Sequence, residues 1–254
     1  MKISLLQMDI EWASPSENIR RAEALMGKSD TSEHTDLYVL PEMWATGFAT
    51  DPEGVVEEEN ASVALEWMKL TARQRQCALS GSLAIRTADD TCRNRHYLVT
   101  PSEVTIYDKR HLFSHGHEDR FFTPGQEAVV TEWQGWRLLL LTCYDLRFPV
   151  FSRYGRAGMY DAIVCVANWP EKRQTAWEVL TRARAIENQC YMVAVNRTGD
   201  DPVCHYAGGS VVIDPTGRSI AVASDRETKL TVDLDIEKIR QMRSHFRVLD
   251  DRDM

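Results

Sequence analysis

Short apolar runs closed by turn-forming residues recur along this chain more often than helical periodicities do. Residues 2–8, 36–40, 79–85, 96–100, 104–107, 128–132, 136–142, 161–167, 191–195, 208–214, 219–223 and 230–234 each read as strands. Turn signals such as Asp89-Asp90 and Pro101-Ser102 separate them. Helical spacing is found in four places. Residues 18–26 put Ile19, Ala22 and Met26 on one side, and 57–76 start acidic and end basic, as the helix dipole favours. Residues 173–188 carry an apolar stripe of Trp177, Leu180, Ala183 and Ile186, and 235–243 form a last helix. Buried strands alternate with helices, yet several strands are joined as hairpins. That mixture predicts an α/β protein with two mixed sheets packed together and helices outside. No Gly/Ser/Pro-rich linker or shift of composition divides the chain, so residues 1–254 read as one domain, with 244–254 as a mostly polar C-terminal tail.

The stretch at 136–149 concentrates the information. Leu138 to Leu141 are consecutive, which suits a strand covered on both faces. Cys143 then begins a polar segment with Tyr144, Asp145 and Arg147, and Pro149 follows, with residues 150–156 able to continue as a helix. A thiol where a buried strand turns toward a helix N-terminus ionises more easily, and an oxyanion beside it is stabilised. Cysteine is more often a small core residue. Here the charges that follow Cys143 argue for chemistry, because buried charges need a partner or a purpose.

Composition narrows the classes of function. The chain carries a net charge of −8, which leaves no basic surplus for displacing counterions from nucleic acid. Its six cysteines are scattered without a C-x-x-C pair, unlike a zinc knuckle or a disulfide scaffold, and free thiols in a reducing cytosol account for them. The apolar run 3–6 ends before Asp9 and Glu11, too short for a signal peptide, and no stretch approaches the length of a membrane span. The expected location is the cytoplasm.

Two further residues stand at the ends of predicted strands. Glu42 follows Pro41 and precedes an apolar loop, Met43 to Phe48; Lys109 follows the strand at 104–107. In isolation the first is a turn acid and the second a surface charge. Together with Cys143 they make a working set. A neutral thiol attacks poorly and needs a base, an apolar pocket raises a carboxylate's pKa toward that task, and an ammonium stabilises an oxyanion. Met43 and Trp44 are candidates for the pocket walls. His111, His115 and His117 raise the question of a metal, but Gly116 breaks the helical spacing, and a polar loop lining a cleft fits better than a metal hydrolase.

Pro41-Glu42, Lys109-Arg110-His111-Leu112 and Cys143-Tyr144-Asp145-Leu146-Arg147-Phe148-Pro149 resemble, in order, the three signatures of the nitrilase (carbon–nitrogen hydrolase) superfamily. Residues 118–125 are similar to the segment that carries that family's second glutamate, and 182–189 through Asn196-Arg197 to its late helix and strand. Within the superfamily the chain looks closest to the bacterial omega-amidase (2-oxoglutaramate amidase) branch, on Asn168-Trp169-Pro170 followed by Arg173 and Trp177. The resemblance implies a four-layer α-β-β-α sandwich, no cofactor, no metal, a homodimer and hydrolysis of a small ω-amide through a thioester. By position, Glu42 is then the base, Lys109 stabilises the tetrahedral intermediate and Cys143 attacks. The Tyr144 N–H completes the oxyanion site, and Glu118 orients Lys109 or the substrate amide. Asp145 and Arg147 are expected in structural ion pairs. Arg173 is a candidate to grip a substrate carboxylate, with Trp169 and Trp44 beside the substrate; packing of Trp44, Phe48, Phe113, Trp169 and His205 would set pocket volume. The rival readings are an N-carbamoyl hydrolase or nitrilase of the same superfamily, and a non-catalytic binding protein on the same scaffold.

Overall fold

Four consecutive leucines, 138–141, sit in one strand with both faces covered, and this determines the layering. The computed structural model describes residues 1–27, 34–51, 53 and 55–252. One sheet contains β1 (Lys2–Gln7), β2 (Leu37–Val39), β3 (Glu57–Glu58), β4 (Ala78–Arg86), β5 (Cys92–Val99), β6 (Val104–Asp108) and β15 (Thr228–Asp233), in the order β15-β1-β2-β4-β5-β6 with β3 against β4. The other contains β7 (Val130–Trp133), β8 (Trp136–Thr142), β9 (Ala162–Ala167), β10 (Tyr191–Asn196), β13 (Val211–Ile213) and β14 (Ser219–Val222), in the order β14-β13-β10-β9-β8-β7. A small hairpin, β11 (Thr198–Asp200) and β12 (His205–Ala207), stands apart.

Because side chains alternate along a strand, Leu138 and Leu140 face the other sheet, where they meet Ile3, Leu5 and Val39, with Val164 and Val193 alongside. Leu139 and Leu141 face outward with Ile163 and Met192, against Trp177 and Ala185 of α3 (Gln174–Glu187). On the far side, Leu6, Tyr38 and Leu40 pack beneath α1 (Pro15–Met26) and α2 (Val63–Arg75). The result is the α-β-β-α sandwich expected from the sequence. Burying each such side chain contributes about 1.5–3 kcal/mol. α4 (Ile236–His245) completes the core between the sheets through Ile239.

Each sheet has a parallel centre, β1-β2-β4 in one and β8-β9-β10 in the other, flanked by antiparallel strands. Carboxyl ends of parallel strands therefore gather at one edge of each sheet, the usual place for a site in α/β folds. Glu42 follows β2, Lys109 follows β6, Cys143 follows β8 and Asn168 follows β9.

Several local expectations change. The helix expected over 57–76 begins only at Val63. Ser62 caps it by accepting from Leu65 N–H at 3.0 Å, while Glu57 accepts from the Ser62 hydroxyl and the Val63 N–H. The helix over 18–26 begins earlier, with Pro15 in its first turn. On α3 the buried positions are Trp177, Thr181, Arg184 and Ala185, whereas Ile186 is exposed. No helix forms over 150–156. Gly155 there takes a φ of +90°, and the Tyr154 N–H is bound by Asn188 Oδ1 at 2.9 Å. The tail beyond 244 is docked at Leu249, which is buried with the α3 layer; residues 253–254 lie outside the described residues.

Candidate active site

Glu42, Lys109 and Glu118 form one buried ionic cluster, each at most 1 % exposed. Lys109 Nζ donates to Glu42 Oε1 at 2.7 Å and to Glu118 Oε2 at 2.8 Å. Asn94 Nδ2 donates to Glu42 Oε1 and to Glu118 Oε1, both at 2.8 Å. Glu118 Oε2 also accepts from the Phe113 N–H at 2.6 Å, which ties the cluster to the loop lining the cleft. Burial alone would strip the proton from the Lys109 ammonium. The carboxylates of Glu118 and Glu42 outweigh it and hold the lysine above its usual range, so it is charged at every working pH. Burial also pushes the Glu118 carboxyl up, against the pull of Lys109.

Cys143 lines a cleft of about 330 Å³, with Glu42 and Lys109 of the ionic cluster as its charged neighbours. Its backbone takes a left-handed φ of +43°, and Met43, next to Glu42, takes +40°. For non-glycine residues such conformations cost about 1–3 kcal/mol each and are held by their surroundings. The turn from Cys143 to Arg147 is a short 3₁₀ segment rather than the start of an α-helix. The α-helix expected from the sequence to begin here is therefore replaced by one short turn, with Thr142 at its N-terminus. Burial pushes the Cys143 thiol well above its ordinary value, and the neighbouring Glu42 carboxylate pushes it further, with only Lys109 opposing. Both effects favour the neutral thiol over the thiolate.

Asn168 joins the two sheets at this point. Its N–H donates to Glu42 Oε2 at 3.0 Å, its side-chain amide donates to the Glu42 carbonyl at 2.9 Å, and its own carbonyl faces Cys143 Sγ at 3.8 Å. Neither Asn94 nor Asn168 is evident as a site residue from the sequence. Asn94 lies inside a strand, and Asn168-Trp169-Pro170 carries only a hint.

The cleft wall corrects other expectations. Trp44 is fully buried against Trp67 beneath the helices, 5.2 Å between ring centroids, and does not line the cleft. His205 is exposed and bonded to Asp200. Phe48, Phe113, Tyr144 and Trp169 do line it. Among the described residues Arg147 makes no ion pair of the expected kind and rests over the Trp169 ring at 4.8 Å; Arg173 rests over Phe113 at 5.0 Å. With Lys172 they give the cleft three cationic side chains, and Asp201 is the single acidic one among the described lining residues. The Asp201 carboxylate is already bound by the Tyr206 hydroxyl and the N–H groups of Val203 and Cys204. His111 bonds to Asp145 and stacks on Phe148, whereas His115 faces the cleft. Among the described residues no three His, Cys, Asp or Glu side chains converge as a metal set.

The family model for carbon-nitrogen hydrolases matches residues 2–244. The chain belongs to the carbon-nitrogen hydrolase family. It is 39 % identical to omega-amidase YafV of Escherichia coli K12, over all of this chain and 97 % of that one. It is 36 % identical to a 2-oxoglutaramate amidase of Bacillus subtilis, covering 98 % and 96 %. A CN-hydrolase superfamily protein of Xanthomonas campestris with an arsenic adduct in its active site superposes with a TM-score of 0.94, at 35 % identity and 100 % and 97 % coverage. An amidase of Nesterenkonia, captured after Michael addition of acrylamide at its active-site cysteine, superposes with a TM-score of 0.83 at 25 % identity, covering 98 % and 99 %. No helix among the described residues of this hydrolase is long and apolar enough to cross a membrane.

Proposed function

We propose that this carbon-nitrogen hydrolase is an omega-amidase, cleaving a small aliphatic ω-amide such as 2-oxoglutaramate to 2-oxoglutarate and ammonia. The observation that carries the reading is the charged Lys109 held between Glu42 and Glu118, beside a thiol that opens into a cationic cleft. Glu42 takes the Cys143 proton as sulfur attacks the amide carbon, so the thiolate need not exist beforehand. The S–C bond forms, the carbonyl electrons move to oxygen, and Lys109 Nζ with the Tyr144 N–H stabilises that oxyanion. Collapse breaks the C–N bond, Glu42 returns its proton to nitrogen, and ammonia leaves. Glu42 then deprotonates a water that attacks the thioester, and the second collapse releases the acid and restores the thiol. Glu118 and Asn94 hold Lys109 and Glu42 in place throughout.

Arg173 is proposed to bind the substrate's free carboxylate, with Arg147 and Lys172 supplying further positive charge. Trp169 forms the adjoining wall. The enzyme is proposed to act in the cytoplasm as a homodimer; six free cysteines suit a reducing compartment, and light scattering in solution would read the assembly directly.

Ammonia release from 2-oxoglutaramate and succinamate, set against decarbamoylation of N-carbamoyl compounds and hydrolysis of nitriles to acids, tests the substrate class. Mass spectrometry of quenched reactions is expected to find the acyl group on Cys143, and turnover surviving Cys143→Ser would overturn the mechanism. Arg173→Ala is expected to raise KM for 2-oxoglutaramate about tenfold or more with a small effect on kcat; an unchanged KM removes the carboxylate role.

A further inference from the structure

Asp145 is fully buried two residues beyond the nucleophile, and its carboxylate is bound on both oxygens. Oδ1 accepts from the His111 main-chain N–H at 2.9 Å and meets the His111 ring nitrogen Nδ1 at 2.8 Å. Oδ2 accepts from the Tyr107 hydroxyl at 2.6 Å and from the Thr142 N–H at 3.0 Å. The Tyr107 oxygen in turn accepts from the Arg110 N–H at 3.1 Å. These partners come from both halves of the sandwich. Tyr107 and His111 stand two residues to either side of Lys109, while Thr142 immediately precedes Cys143. The His111 ring lies flat on Phe148, 3.9 Å between centroids and 10° between planes, which fixes the orientation of its Nδ1. By contrast, the main chain of Lys109 bonds to its own side of the molecule, from its N–H to Asn94 and from Gly125 to its carbonyl.

We infer that Asp145 is a positioning residue: it sets where the Lys109 ammonium stands relative to the Cys143 sulfur, so that the ammonium meets the oxyanion as it forms. The inference rests on the amidase reading above. Hydrogen bonds to a charged acceptor are roughly twice as strong as neutral ones, and four on one buried carboxylate leave the two segments little freedom to slide. Asparagine has the right shape but cannot take over. Each oxygen faces a main-chain N–H, so either orientation of the amide sets its NH₂ against a donor.

The test compares Asp145→Asn and Tyr107→Phe with wild type. For succinamate, kcat is expected to fall about 10²-fold in the first and about tenfold in the second, with KM within about threefold, as for a misplacement on the order of 1 Å. Alkylation of Cys143 by iodoacetamide is a displacement at saturated carbon that forms no oxyanion, so its rate is expected to stay within about threefold of wild type. Turnover equal to wild type in both variants overturns the inference. So does alkylation falling in parallel with kcat, because that marks collapse of the whole site. If Asp145→Asn does not fold, Tyr107→Phe decides alone, since it deletes one oxygen and keeps the ring. A wild type that hydrolyses no ω-amide would instead refute the functional reading, a result distinct from either outcome.

Discussion

Gly125→Ala changes one hydrogen into a methyl group, yet it strikes the strand end that carries Lys109. A Cβ built on Gly125 would stand 2.1 Å from the Asp108 carbonyl oxygen and 2.9 Å from its carbonyl carbon, while the Gly125 N–H already bonds the Lys109 carbonyl at 2.9 Å. Both neighbours are main chain, so no side chain can swing aside. Ordinary contact requires the two segments to part by about 1 Å, and overpacking of that kind costs about 1–3 kcal/mol. For a domain of this size the thermal midpoint should drop roughly 2–12 °C. Lys109 Nζ holds its two carboxylates at 2.7 and 2.8 Å, so the displacement reaches the ammonium directly. A shift of about 1 Å at a reacting group lowers turnover on the order of 10²-fold. Ammonia release from succinamate at saturation, with the thermal midpoint measured on the same preparation, reads both effects. A lowered midpoint with wild-type kcat would mean that the 123–125 loop absorbs the shift alone, and the coupling to Lys109 would be refuted.

Glu42→Gln removes the negative charge beside the thiol. The Cys143 pKa should move down toward its ordinary value under Lys109, yet amide turnover should fall about 10²–10⁴-fold for want of a base; faster alkylation alongside lost hydrolysis is the expected signature, and retained hydrolysis would count against Glu42. His96 is buried, bonded to Ser80 at 2.7 Å, and held neutral by burial, its pKa pushed down to about 3. The unfolded chain takes up that proton near its ordinary value of about 6.5, so stability should fall by about 1.4 kcal/mol per unit as pH drops from there toward 3. Chemical denaturation of His96→Gln from pH 6 to 4 should show a shallower slope than wild type; equal slopes reject the assignment. Trp44→Phe should cost about 1–3 kcal/mol of stability and leave KM for every amide unchanged, because the indole belongs to the helix layer and not to the cleft.

What the sequence makes legible follows from which forces leave a local trace. β8 and β9 are readable because burial on both faces demands an unbroken apolar run, and Cys143 is readable because the charges after it have no reason to be there otherwise. Asn94 leaves no trace. Its place beside Glu42 and Glu118 depends on the antiparallel register that sets Ala84 opposite it and on a loop that returns at Glu118. The face of α3 is misjudged for a related reason: Thr181 and Arg184 are buried there by hydrogen bonds, to the Trp177 and Leu146 carbonyls, which hydrophobic periodicity cannot register. Trp44 is misplaced by its nearness to Glu42 in the chain. The left-handed turn at Met43 lets the carboxylate face the second sheet while the indole enters the opposite layer.

The grip of Asn168 on Glu42 has a consequence for how the enzyme fails. Glu42, the proposed base, is contributed by one half of the sandwich and clasped, through main chain and side chain alike, by the other, so on that mechanism neither half holds a competent fragment of the machinery. Hydrolysis is thereby a gauge of whether the halves are mated. Heating should extinguish it in step with the cooperative melting of the molecule, without a folded but idle species in between.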